Sequence, residues 1–156
     1  DVFTRDGISS LINSTEGVLF LEMAALSDDS IQKFISLSDG TSGNRIILGF
    51  DNVSNRIISF ARVGGGLSFD IKVVVSNVQD YNKLAIKWKE NDFALWINGV
   101  EVGTDTSGSS FPSGALIVLK FSDADGTTEI FNGKVKQLQV YKTALSDSEL
   151  TSLTTL

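Results

Sequence analysis

The chain has no cysteine and no histidine, and only one proline in 156 residues. Without cysteine no disulfide can staple the fold, and the redox compartment is left open. Without histidine the usual general base near neutral pH is missing, and so is the commonest transition-metal ligand. A zinc centre or a Ser-His-Asp triad is excluded. Positive charge is also scarce: 13 Lys and Arg against 19 Asp and Glu leave a formal net charge of -6. A nucleic-acid surface needs clustered cations to release counterions, so this balance argues against one. It suits Ca²⁺, neutral glycans or plain solubility. No run approaches the roughly 18 apolar residues of a membrane span. The first residues lack the basic-then-apolar pattern of a secretion leader.

What is present is alternation. In Tyr81–Gly103, Leu84, Ile86 and Trp88 alternate with Ala85, Lys87 and Lys89, the period-two pattern of a half-buried strand. After the polar break Lys89-Glu90-Asn91-Asp92, Phe93, Leu95 and Ile97 alternate with Ala94, Trp96 and Asn98. Asn98-Gly99 is a strong hairpin signal, because a type I′ turn needs positive φ at both central residues. Val100 and Val102 begin the return strand. This stretch predicts a three-stranded meander inside a sheet.

The remaining chain reads as short strands between turns. Asp1 to Gly17 is a polar lead-in with one short edge strand. Val18 to Leu26 is a strand with Leu19, Leu21, Met23 and Ala25 inward; Glu22 faces water and Phe20 lies on the outer face or under a loop. Phe34 to Ser38, Arg45 to Phe50, Asp70 to Ser76, Ala115 to Phe121 and Lys134 to Lys142 are further strands. Arg56 to Val63 is another, but its facing is ambiguous: Ile58 and Phe60 point one way, Ile57, Ala61 and Val63 the other. Gly64-Gly65-Gly66 predicts a wide turn or a flexible tip. Val135 and Leu138 differ in parity, so a β-bulge near Lys136-Gln137 is needed to keep both inward. Ser146 and Glu149 form a capping box that opens a helix, and Leu145 and Leu150 have the spacing of a hydrophobic staple. The expectation is all-β: residues 1–156 as a single two-sheet antiparallel sandwich with one short C-terminal helix.

The strand–turn–strand–Asn-Gly pattern of the meander resembles concanavalin-A-like jelly rolls of the laminin-G-like group. Phe131 to Leu150 is similar to that group's closing strand and terminal helix. The wording of Ile12–Phe20 and Lys89–Trp96 also resembles such domains in tail fibres of marine bacteriophages. The resemblance implies a jelly-roll fold and a non-catalytic recognition module that binds host-surface glycan. The setting it implies is a virion tail fibre or a cell surface, displayed in several copies. The alternative is a structural or protein-interaction module without sugar binding.

Two sites are expected. Trp96, on the parity opposite Phe93, Leu95 and Ile97, is a candidate platform for a sugar ring, with Asn98 beside it and Tyr81 near the strand end. The competing reading buries Trp96 beneath a second layer. Asp123 and Asp125, beside Gly126, are candidate Ca²⁺ ligands, with Asp39 as a further oxygen donor. The competing reading is a plain turn. The family often places a carboxylate after the closing Gly-x-Ile, but that position is Lys136 here. No Glu-x-Asp-x-x-Glu run of a jelly-roll glycosidase occurs, and Glu22 stands alone on its strand, so catalysis is not expected.

Overall fold

A computed structural model describes residues 3–156. Its strands in chain order are β1 (Thr4–Arg5), β2 (Glu16–Ala25), β3 (Lys33–Ser38), β4 (Arg45–Phe50), β5 (Arg56–Val63), β6 (Gly66–Val74), β7 (Asn82–Lys89), β8 (Phe93–Ile97), β9 (Val100–Asp105), β10 (Val118–Lys120) and β11 (Gly133–Tyr141). Helix α1 spans Asp147–Thr154. The strands form two antiparallel sheets. The six-stranded sheet runs β1-β10-β3-β4-β5-β6 and the five-stranded sheet β11-β2-β7-β8-β9. The expected jelly-roll sandwich is therefore present. Residues 1 and 2 of the lead-in lie outside the described residues.

The alternation read from the sequence sets which side chains meet between the sheets. Leu19, Leu21 and Met23 of β2 and Leu84, Ile86 and Trp88 of β7 join Ile35, Leu37, Ile46 and Leu48 from the opposite sheet in one core. Full burial of each such side chain is worth ~1.5–3 kcal/mol. The Trp88 indole N–H donates to the carbonyls of Asn13 and Ser14, at 3.3 and 3.2 Å. Gly17 is required beside it: a Cβ there would lie 2.5 Å from the Trp88 ring and 2.6 Å from the Tyr141 carbonyl oxygen. The core facing of β5 is now decided. Ile57 and Ala61 pack inward, and Ile58 and Phe60 lie on the outer face with Phe34 and Ile47.

The Asn98-Gly99 turn has φ of 50° and 83°, the positive pair that the hairpin needs. The bulge falls between Val135 and Gln137, as the parity of Val135 and Leu138 demands. Three expectations need correction. Gly64 and Gly65, at φ of 56° and 83°, close a tight two-residue hairpin in which Val63 pairs Gly66, so β6 begins at Gly66 and no wide tip forms. The strand expected over Ala115–Phe121 shortens to Val118–Lys120, because the Ala115 amide closes a turn on Pro112. Glu22 does not face water. It is buried on the outer face of β2, and Lys136, lifted out of register by the bulge, reaches over it with a 3.2 Å ion pair.

Candidate functional site: the open face of the six-stranded sheet

A two-sheet sandwich has two outer faces, and they differ here. The outer face of the five-stranded sheet is roofed over its central strands, with β11 left exposed. Its alternate residues Val18, Phe20, Ala85, Ala94 and Trp96 pack under Leu150 of α1, with Leu145, Leu153 and Tyr141 around them. The helix forms there because Ser146 accepts from the Glu149 amide while Glu149 accepts from the Ser146 amide, the full capping box. Its far end is tied down as well. The Gly99 amide donates to the Thr154 hydroxyl at 3.1 Å, and Lys83 Nζ donates to the Thr155 carbonyl at 2.8 Å.

Trp96 is consequently only 7 % exposed, and its indole N–H has no acceptor. A sugar cannot stack on it, which corrects the expected platform. Asn98 works inside the hairpin: its side-chain oxygen accepts from the Lys83 amide at 2.9 Å and its amide group donates to Asn82 at 2.8 Å. Tyr81 is partly exposed, with the Lys136 ammonium 5.3 Å from its ring centroid. None of the hollows described below is lined by Tyr81, Asn98 or Trp96.

The outer face of the six-stranded sheet is roofed on one side only. The loop after β10 folds over it, held by Arg45, whose Nη1 donates to both Asp123 oxygens at 2.6 and 2.5 Å, and by Lys120 Nζ on the Ala124 carbonyl at 2.6 Å. Beyond that loop the face is open. A hollow of about 180 Å³ lies over β5 and β6, floored by Ile58 and Phe60 and edged by Gln32, Arg62, Asp70 and Lys72 and by the exposed Leu67. Phe60 is half-buried and fixed in place. The Phe34 ring meets it edge-on at 5.9 Å, and the Arg45 guanidinium sits 5.1 Å from its centroid. Arg62 is the register partner of Arg45 and donates to the Gly65 carbonyl at 3.0 Å, leaving further guanidinium donors at the rim. Asp70 and Lys72 pair at 3.0 Å.

A second depression adjoins the hollow. It is an open groove of about 830 Å³ between the β2–β3 loop, the turn after β4 and the segment Thr127–Asn132. Gln32 lines both. Its side-chain amide donates to Asp51 at 2.9 Å, and Asp51 is also ion-paired to Arg56 at 2.6 Å. Burial alone would raise the Asp51 carboxyl pKa, but the bonds from Gln32, the Asn52 amide and Arg56 outweigh it and hold the pKa below its ordinary value.

The three carboxylates expected to bind Ca²⁺ are each engaged by the chain's own donors. Asp123 is gripped by Arg45. Asp125 accepts from the amides of Thr127 and Thr128 at 2.8 and 3.0 Å and from the Thr128 hydroxyl, which lowers its pKa to about 2. Asp39 accepts from Thr41 and Asn44; burial opposes ionisation there, yet these bonds hold the pKa down. Among the described residues no three acidic side chains converge as a cation's ligands would. With a guanidinium already on Asp123, this donor set does not fit a divalent cation.

The aromatic at the open face is Phe60, with Arg62 two residues on. The alternation of β5 does not single out either one, because this strand carries apolar residues on each parity. The available signal was charge: Arg62 shares the parity of Ile58 and Phe60, which marks that side as the outer one.

The sequence model of the concanavalin A-like lectin/glucanases superfamily matches residues 19–151. The chain belongs to this superfamily. No curated protein matches the sequence. Among solved structures, the chain is similar to the CBM40 of the Ruminococcus gnavus IT-sialidase bound to α2,3-sialyllactose, with a TM-score of 0.76 and 22 % identity over 99 % of this chain and 98 % of that one. It is similar to the leech intramolecular trans-sialidase in complex with 2,7-anhydro-Neu5Ac, with a TM-score of 0.74 and 20 % identity; the match covers 99 % of this chain but only 27 % of the leech protein. The SAP-like pentraxin of Limulus polyphemus matches at a TM-score of 0.67 and 14 % identity, over 90 % of this chain and 70 % of that one. At these identities the likeness is one of fold.

Proposed function

We propose that this superfamily member is a non-catalytic glycan-recognition module that holds its ligand on the open face of the six-stranded sheet. One observation carries the reading: α1 covers the centre of one outer face, while the other presents a half-buried aromatic floor, Phe60, edged by the polar side chains of Gln32, Arg62, Asp70 and Lys72 and by the exposed Leu67. An aromatic face stacks on the apolar face of a sugar ring, and Arg62 and Gln32 supply directional donors beside it. The sialyllactose-bound relative in the same fold supports the ligand class. The hollow contains one carboxylate, Asp70, already paired with Lys72, whereas most glycosidases work with two acids flanking the scissile bond. Glu22, the isolated strand acid, lies on the opposite sheet beneath Lys136. The setting that fits is a virion tail fibre or a cell surface, where several copies multiply weak single-site affinity.

A glycan array containing neutral and sialylated sugars tests the reading, followed by titration of the hits against variants. Phe60→Ala and Arg62→Ala each weaken binding roughly tenfold, about 1.4 kcal/mol, with an unchanged circular dichroism spectrum. Absence of any glycan hit, or hits that ignore both substitutions, would leave the alternative of a protein-interaction module.

A further inference from the structure

We infer that the glycan site continues from the sheet-face hollow past Gln32 into the loop groove, so that the ligand is an extended oligosaccharide whose neutral units occupy the groove. The inference rests on the glycan reading of the sheet face and adds the length and character of the chain bound there. The two depressions meet at Gln32. It lines both depressions, and its side-chain amide is held on Asp51, so the boundary the two share is fixed in place. The sizes differ severalfold, about 180 Å³ for the hollow against about 830 Å³ for the groove. The first suits a single ring and the second a run of them.

The lining of the groove selects the units. Ser30, Asn52 and Asn132 are exposed and present hydroxyl and carboxamide groups that both donate and accept, as a string of sugar hydroxyls requires. Ile31 and Ile130 flank them, 60 % and 48 % exposed, and offer aliphatic surface to the CH faces of the rings. Of the charged side chains, Lys33 and Asp29 neutralise each other in an ion pair. Glu129 leaves one negative charge, which disfavours an anionic sugar in the groove. In the hollow the balance reverses, with Arg62 and Lys72 against Asp70. The path therefore has a positive end on the sheet and a hydroxyl-matching, weakly negative run through the loops.

Two ladders of probes test this by calorimetric titration: β-1,4-glucan oligosaccharides of one to six units, and sialic acid, 3′-sialyllactose and that trisaccharide extended by two lactosamine units. In a series that binds, affinity rises at least tenfold from the shortest to the longest member. Asn132→Ala combined with Ile130→Ala, both at exposed positions, removes that rise and leaves the affinity of the shortest binder within twofold. Phe60→Ala weakens every member alike. Affinity that is flat with length in the wild-type protein, while Phe60→Ala still weakens it, overturns the extended site and leaves the sheet-face reading standing. Groove substitutions that weaken the shortest member as much as the longest also overturn it. If neither ladder binds, both readings fall together.

Discussion

Trp96 shows how one neighbour changes what a residue can do. Its parity on β8 marks it as pointing away from the main core, and that much is correct. What covers it is Leu150, more than fifty positions further along the chain, and the indole becomes the floor of a second, smaller core. Trp96→Ala is expected to destabilise the protein by ~3–5 kcal/mol in chemical denaturation and to leave glycan affinity unchanged. A platform role would give the reverse pattern, lost affinity with little loss of stability. Asp123 makes the same point for charge. Two carboxylates at i and i+2 beside a glycine look like cation ligands until Arg45, brought in from β4, occupies the first of them. Saturating Ca²⁺ is accordingly expected to leave the melting temperature where EDTA leaves it. Ligand held only by the folded form must raise the melting point, so an increase with Ca²⁺ would show the loop to be a metal site after all.

The helix is the element on which the choice of face depends. It has eight residues, too few for stability on its own. Three things hold it: the capping box at Ser146 and Glu149, the burial of Leu150, and the anchoring of its last turn to the β8–β9 hairpin through Thr154. The Glu149 carboxyl is held below its ordinary pKa by the Ser146 amide and hydroxyl, so the box is intact at neutral pH. Ser146→Ala should cost ~1 kcal/mol, read as a lower denaturation midpoint at unchanged slope, with Trp96 fluorescence reporting whether the roof loosens. No change in midpoint would mean that Leu150 burial alone fixes the helix. Bulge and hairpins act at the same scale. The extra residue at Lys136 keeps Val135 and Leu138 both inward and at the same time swings a lysine over Glu22.

Across the whole molecule the absence of histidine and the treatment of the aspartates combine into one pH profile. With no histidine, no side chain of ordinary pKa titrates between pH 5 and 8, and stability should be level there. Asp29 and Asp125 have pKa values lowered from 3.8 to about 2, the first mainly by its bond from Lys33 and the second mainly by the Thr127 amide; Asp39 and Asp51 are lowered as well. A carboxyl group whose folded pKa lies below its unfolded one favours the fold at any pH above the unfolded value. That contribution disappears as the pH falls through the folded value. The melting temperature is therefore expected to be level between about pH 5 and 8 and to fall as the pH drops from about 4 towards 2. Asp51→Asn should blunt the fall. A melting point that already declines between pH 8 and 5 would contradict this assignment.

The sequence by itself determined the sandwich, its meander, the I′ hairpin, the bulge and the capped helix. Each of these follows from short-range rules: period-two alternation, positive φ at Asn-Gly, the parity of two apolar residues, and one side chain reaching an amide three residues away. It also excluded histidine and cysteine chemistry outright. Only the tertiary structure decided which surface is free. The helix buries Trp96, Arg45 crosses to Asp123, Lys136 covers Glu22, and β5 turns Phe60 outward. Those outcomes depend on which distant segment lies on top of which face, and alternation along a strand carries no information about the layer above it.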